Sequence, residues 1–303
     1  MRPDAATPVG SLTLRSPVLT AAGTSGYGDE LAGYGDLAAL GAVVVKSLAA
    51  FAWEGNPAPR IAASGPHMVN SVGLAGPGVA AWREGSLPAL RGLGADVVAS
   101  LWGRSVEEFA AAARLLRGAP VVAVEVNASC PNLEDRSRVF AHSPRATAEV
   151  VEASRDAGAP LWVKLSPNTP DLLEVAAAAL SAGAEALVLV NTVLGMAIDV
   201  EARRPALGNV VGGVSGPGIL PVALRAVYEC REAFASVPIV GVGGVASGED
   251  AVAMMMAGAN AVEVGTATFA DPRAPWRVLA GVQRWARAHG VARLSEIVGA
   301  AHG

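Results

Sequence analysis

The stretch PLWVKLSPNTPDLLEVAAAALSAGAEALVLVNT (residues 160–192) decides the fold. Two short apolar runs, PLWVKLSPN (160–168) and EALVLVNT (185–192), flank an alanine-rich segment, Asp171–Ala182, of helical length. Continuous apolar strands separated by a helix belong to a parallel sheet buried on both faces. The same unit recurs along the chain, with strands in SPVLTAAG (16–23), GAVVVKS (41–47), ADVVASLWG (95–103), PVVAVEVNAS (120–129), VPIVGVGG (237–244) and NAVEVGT (260–266). Helical stretches are expected at Val106–Arg117, Ala146–Ala157 and Gly248–Ala257. Eight strands in 303 residues predict an α/β fold, a (β/α)8 TIM barrel forming one domain over residues 1–303. A doubly wound sheet usually has fewer strands and an early glycine-rich nucleotide fingerprint, which is missing here.

The composition narrows the function. Hydrophobic residues make up 52% and charged residues 17%, enough for a large core. The net charge of −4 gives no basic field for nucleic acid or anionic lipid. Two cysteines, Cys130 and Cys230, are too few for a disulfide framework, an iron–sulfur cluster or a four-thiolate zinc site. The opening MRPDAATPVGSLTLRSPVLT lacks the apolar core of a signal peptide. Apolar stretches such as Val175–Leu180 fall short of the ~20 residues that span a bilayer. A soluble cytoplasmic protein is expected.

A barrel builds its active site where its strands end. Here those ends carry Gly23, Lys46, Ser100, Asn127, Lys164, Asn191, Gly243 with Gly244, and Gly265 with Thr266. Two long connections, Phe51 to Pro88 and Thr192 to Pro221, read as irregular lids or binding loops. Of 23 basic residues only Lys46 and Lys164 are lysine, and both close apolar strands. An unpaired ammonium there would be costly, so both suit an anionic ligand or a cofactor that gains negative charge. GVGGVASG (241–248) and GTATF (265–269) end consecutive strands and suit a phosphate held by backbone N–H groups.

Asn70, Asn127, Asn132 and Asn191 suit a planar ligand that both donates and accepts, whereas turn preference explains Asn56, Asn168 and Asn209. Cys130, in VEVNASCPN (124–132), reads as a nucleophile, a base or a buried small residue. No second thiol or histidine lies near it, so no metal site is expected. The four histidines show no ligand pairing, and Cys230 in YECREAF reads as packing.

Taken together, VVVKS, MVNSVGLAGPG, VNASCPN, LWVKLSPN, LVLVNTVLGMAID, GGVSGPGILPVALR, PIVGVGGV and AVEVGTATF resemble the dihydroorotate dehydrogenases over nearly the whole chain. The segment NTVLGMAIDVEARRPALGNVVGGVSGPG most resembles the class 1B, NAD-linked catalytic subunit. The resemblance implies FMN on this chain. Its phosphate would lie on Gly243, Gly244, Gly265 and Thr266, near Ser215 and Gly216. Its ring and ribityl would be lined by Ala22, Gly23, Lys46, Ser47, Asn127, Lys164 and Val190.

For the substrate, the resemblance implies that Lys46, Asn70, Asn127, Asn132, Asn191 and Thr192 hold dihydroorotate, helped by the Gly73 and Leu74 backbone. Cys130 would be the general base taking the C5 proton while the C6 hydride goes to FMN. It further implies a homodimer, joined in a heterotetramer to a partner subunit that carries FAD and a [2Fe–2S] cluster and reduces NAD. Dihydropyrimidine dehydrogenases share the barrel but commonly read SCPH where this chain has Asn132. An IMP-dehydrogenase-like barrel would need a different cysteine loop and no flavin, and a catalytically dead partner subunit does not suit the intact Lys, Cys and Asn set. Three positions depart from the family's pattern: Ala128 in NASCPN, Ser100 in place of an asparagine, and AGPG (75–78) in place of QNPG.

Overall fold

The computed structural model describes residues 3–129 and 139–303. Eight parallel strands form one sheet: β1 (Val18–Thr20), β2 (Val43–Val44), β3 (Val97–Leu101), β4 (Ala123–Asn127), β5 (Leu161–Lys164), β6 (Ala186–Leu189), β7 (Ile239–Val242) and β8 (Ala261–Val264). Their order is β1-β8-β7-β6-β5-β4-β3-β2. The two ends of that series also meet. Gly41 N–H donates to the Val18 carbonyl at 2.7 Å and Thr20 N–H to the Ala42 carbonyl at 3.3 Å, which closes the (β/α)8 barrel. Each of the eight runs read from the sequence contains one of these strands.

Side chains alternate across each strand, so every strand has an inner and an outer row. Outward residues such as Val97, Val124, Val163, Leu187 and Ile239 pack in one cluster with helix residues Phe109, Val150, Val175 and Val227. Inward residues such as Leu19, Val98, Trp162, Val188 and Val240 form a second cluster. A hairpin, Thr7–Val9 with Leu12–Leu14, adds Val9 and Leu14 to the inner cluster. Ser11 N–H binds the Glu185 carboxylate at 2.8 Å, just before β6 starts, so the hairpin plugs the barrel's N-terminal end. The opposite end is left for chemistry.

The helices are α1 (Val79–Glu84), α2 (Ser86–Gly92), α3 (Val106–Leu116), α4 (Pro144–Ser154), α5 (Leu172–Ser181), α6 (Leu220–Ala233), α7 (Gly248–Met256), α8 (Ala267–Ala270) and α9 (Ala274–Ala288). Local chemistry fixes several starts. Ser105 caps α3, and Ser247 with Asp250 forms a reciprocal capping box on α7. Helix α4 begins two residues before the sequence reading because Ser143 caps it and Pro144 takes the first turn, where no N–H is needed. No helix among the described residues is long and apolar enough to cross a membrane.

The two long connections depart from the expected irregular loops. Ile61–Ser64 and His67–Asn70 from the first pair with Gly212–Ser215 and Val193–Gly195 from the second in one antiparallel sheet. Backbone N–H and C=O groups in long excursions need partners, and here each connection supplies them for the other.

Candidate functional site

Strand β5 reads LWVK, and its alternation turns Trp162 and Lys164 into the barrel while Leu161 and Val163 face the helices. Lys164 is buried, with its ammonium 2.9 Å from Glu263 Oε2 and 3.5 Å from Glu125 Oε2. Both glutamates are completely buried, on β8 and β4. The sequence reading of Lys164, a charge suited to an anionic ligand or to a cofactor that gains negative charge, did not include these two protein carboxylates. Burial alone would lower the lysine's pKa, but Glu125 and then Glu263 outweigh it, and the ammonium is held above its ordinary range.

The same polar interior continues toward the mouth. Ser100 Oγ donates to Glu125 Oε1 at 2.8 Å and lies 2.9 Å from Ser47 Oγ, while Asn127 Nδ2 donates to Ser47 Oγ at 3.2 Å. Ser100, which departs from the family's asparagine, is therefore a fully buried link between Glu125 and Ser47. Ser129 N–H binds Asn127 Oδ1 at 3.2 Å, and Ser129 Oγ donates to the Lys164 carbonyl at 3.3 Å. These bonds fix the chain up to the residue before Cys130. Cys130 and Asn132 themselves lie outside the described residues.

On the next side of the mouth, Lys46 follows β2 and its stem runs beside Gly23. A Cβ on Gly23 would stand 3.3 Å from Lys46 Cδ, so glycine leaves the lysine its path. Ala22 is the neighbouring residue, and Gly265 lies against Ala21 and Thr24.

The glycine turns after β7 and β8 lie side by side at the barrel mouth. Gly243 and Gly244 have φ of +129° and +77°. Among the described residues, the N–H groups of Gly244, Gly265 and Thr266 lie past the strand ends and donate to no protein acceptor. Ser215 ends a strand of the antiparallel sheet, and Gly216 leads into the Pro217–Ile219 turn. Ile219 packs on Gly243, which brings Ser215 and Gly216 beside these turns.

The asparagines differ in how far the backbone already holds them. Asn168 is consumed by backbone, donating to the Thr192 carbonyl at 3.0 Å and accepting from Leu194 N–H at 2.9 Å. Asn56 donates to the Ser71 carbonyl. Among the described residues no donor reaches the Asn70 side-chain oxygen, while its Nδ2 donates to the Gly213 carbonyl at 3.3 Å. Thr192 rests on Gly213, where any Cβ would strike it, so Asn70 and Thr192 share one edge of the mouth. Asn191 and Val190 follow β6, and the Leu189–Val190 peptide is cis. Leu74, at φ +62°, packs beside Ala49 and Trp102, while Trp53 Nε1 donates to the Gly73 carbonyl at 3.0 Å.

The AGPG segment is anchored rather than loose, since the Tyr27 hydroxyl donates to the Ala75 carbonyl. Burial, then the Glu30 charge, pushes the Tyr27 phenol up to about 12, so it stays a donor at neutral pH. Ala128 is buried packing. Cys230 is buried in α6, and burial followed by Glu229 pushes its thiol up to about 12, which agrees with inert packing. A groove of about 720 Å³ between α7 and α9 lies outside the barrel, away from this chemistry.

Glu125 and Glu263 were missed by sequence reasoning, although a signal existed. AVEVN (123–127) and AVEVG (261–265) each place one acid in an otherwise apolar strand, at the inward position. An acid there needs a buried partner.

The chain matches the Dihydroorotate dehydrogenase family model over residues 5–285. It is 44% identical over 301 residues to the "Dihydroorotate dehydrogenase B (NAD(+)), catalytic subunit" of Geobacter sulfurreducens, covering 99% of this chain and 98% of that protein. The protein of the same name from Trichlorobacter lovleyi is 45% identical over 305 residues, with both chains fully covered. That from Alkaliphilus oremlandii is 45% identical over 292 residues, 96% of each chain.

Proposed function

The chain belongs to the dihydroorotate dehydrogenase family, and we propose that it oxidises dihydroorotate to orotate with FMN as its resident cofactor. The observation that carries this reading is the convergence, at one barrel mouth, of unbonded backbone N–H groups with two lysines and a set of amides. The residues fit FMN. Three N–H groups, of Gly244, Gly265 and Thr266, on consecutive loops suit a phosphate dianion, with Gly243, Ser215 and Gly216 alongside. Ala22, Gly23, Lys46, Ser47, Asn127, Lys164 and Val190 would line the ring and ribityl. Bound FMN supplies a hydride acceptor.

This chain's own residues do the rest. Lys46, Asn70, Asn127, Asn132, Asn191 and Thr192, with the Gly73 and Leu74 backbone, hold the substrate's ring and carboxylate. Cys130 takes the proton from C5 as hydride leaves C6, so the C5–C6 double bond forms with charge balanced. Lys164 places a fixed positive charge where negative charge builds up on reduction. The relatives are named as catalytic subunits of an NAD(+) enzyme, which supports a partner that relays electrons to NAD through FAD and a [2Fe–2S] cluster. A homodimer of this chain within a heterotetramer is the proposed assembly, in the cytoplasm; co-purification from the native source tests it.

The purified protein is expected to be yellow with an oxidised-flavin spectrum that dihydroorotate bleaches and dihydrouracil does not. A colourless protein that takes up no FMN on reconstitution would rule the reading out. A second expectation concerns the cradle. In Gly244→Ala a methyl group would sit 2.6 Å from the Leu220 nitrogen at a φ of +77°. An L-residue there costs about 1–2 kcal/mol, and moving the N–H should weaken FMN retention about tenfold. Fluorescence titration of the FMN-free protein measures it, and unchanged affinity would remove Gly244 from the cradle.

A further inference from the structure

Two acids and one base are sealed inside the barrel, and the proposed chemistry uses only the base. Glu125 and Glu263 both face the Lys164 ammonium, and Ser100 Oγ binds Glu125 Oε1. Among the described residues no donor group reaches the buried Glu263 Oε1. Neighbouring strands turn the apolar Val44, Val188 and Val242 inward. Two full carboxylates against one ammonium would leave a net charge in this interior, where uncompensated charge is most costly. Like-charged acids sharing a site resolve this by keeping a proton. Burial foremost raises the Glu263 acid; Lys164 opposes this, and Glu125 reinforces it by its charge and by a hydrogen-bonding contact, leaving the acid well above the ordinary carboxylate range.

We propose that Glu125 and Glu263 share a single proton, so that the triad with Lys164 carries no net charge and the ammonium stays fixed beneath the mouth. Glu263 is then a positioning residue that acts through Lys164. With the proton in place, the mouth meets a neutral triad and accepts the negative charge of a reduced cofactor. When the proton leaves, the triad becomes anionic and opposes that charge. The link to the reacting centre rests on the function proposed above, whereas the shared proton is a property of the chain alone.

The proton is therefore read first without cofactor. Infrared spectra of the FMN-free protein should keep a protonated-carboxyl C=O band at pH 7, where ordinary carboxylates are ionised. That band should fade as pH rises further, and it should be absent from Glu263→Gln and from Glu125→Gln, because each single amide leaves one carboxylate paired with Lys164. The wild-type titration stands even if a variant fails to fold. No band at pH 7, or a band unchanged in Glu263→Gln, overturns the proposal. In the FMN-loaded protein, the midpoint potential should show an inflection with pH that Glu263→Gln abolishes. A band without that inflection overturns the link to the reacting centre. Failure to bind FMN would instead count against the proposed function and leave the infrared result standing.

Discussion

Replacing Cys130 by serine is expected to slow the reduction of bound FMN by dihydroorotate about 10²–10⁴-fold at pH 7, the range typical of losing a general base. The reason is acidity. A thiol ionises near pH ~8.5, so part of it is thiolate at neutral pH, whereas a serine hydroxyl is not usefully ionised. The preceding residue, Ser129, is tied to the ends of β4 and β5, which delivers this part of the chain to the mouth beside Lys164. The wild-type rate should rise with pH toward the thiol's pKa, and the serine variant should lose that rise. Single-turnover stopped-flow at several pH values measures both, with FMN content as the control. Equal rates for wild type and variant, with FMN bound, would mean that another group takes the proton.

Much of the architecture was legible because a parallel barrel writes itself as apolar runs. EALVLVNT and PLWVKLSPN needed no tertiary information to be read as strands, and each contains one. The scarcity of lysine likewise pointed at Lys46 and Lys164 from composition alone. What was hidden depends on partners distant in the chain. Asn70 and Gly213 are 143 positions apart, and no local pattern announces that their segments pair. The partners of Lys164 were hidden for the same reason, since the glutamates that face it are 39 and 99 positions away. Ser100 stood in the sequence only as a departure from the family's asparagine and became a link in a buried chain when β3 was set beside β4.

Lys164→Met should destabilise the FMN-free chain by about 3–5 kcal/mol at neutral pH, as expected when one partner of a buried ion pair is removed. Methionine fills much of the same space, so the loss is electrostatic: Glu125 and Glu263 remain in a dry interior with no cation. The sign of the pH dependence follows. With Lys164 gone, burial keeps Glu263 above the unfolded ~4.3, with no cation left to oppose it. A raised acid favours the folded state at low pH, and that contribution is lost as pH rises through the folded value. The deficit should therefore be small near pH 5 and larger near pH 8. In the wild type the raised Glu263 acts in the same direction, while the raised Lys164 stabilises until pH passes the ordinary lysine range. Urea unfolding at the two pH values measures the difference. The triple variant Glu125→Gln, Lys164→Met, Glu263→Gln removes the uncompensated charges and should recover most of the loss, with a flat pH profile. If Lys164→Met showed the same deficit at both pH values, or if the triple variant were no more stable than the single one, packing rather than charge would be what Lys164 contributes to the fold.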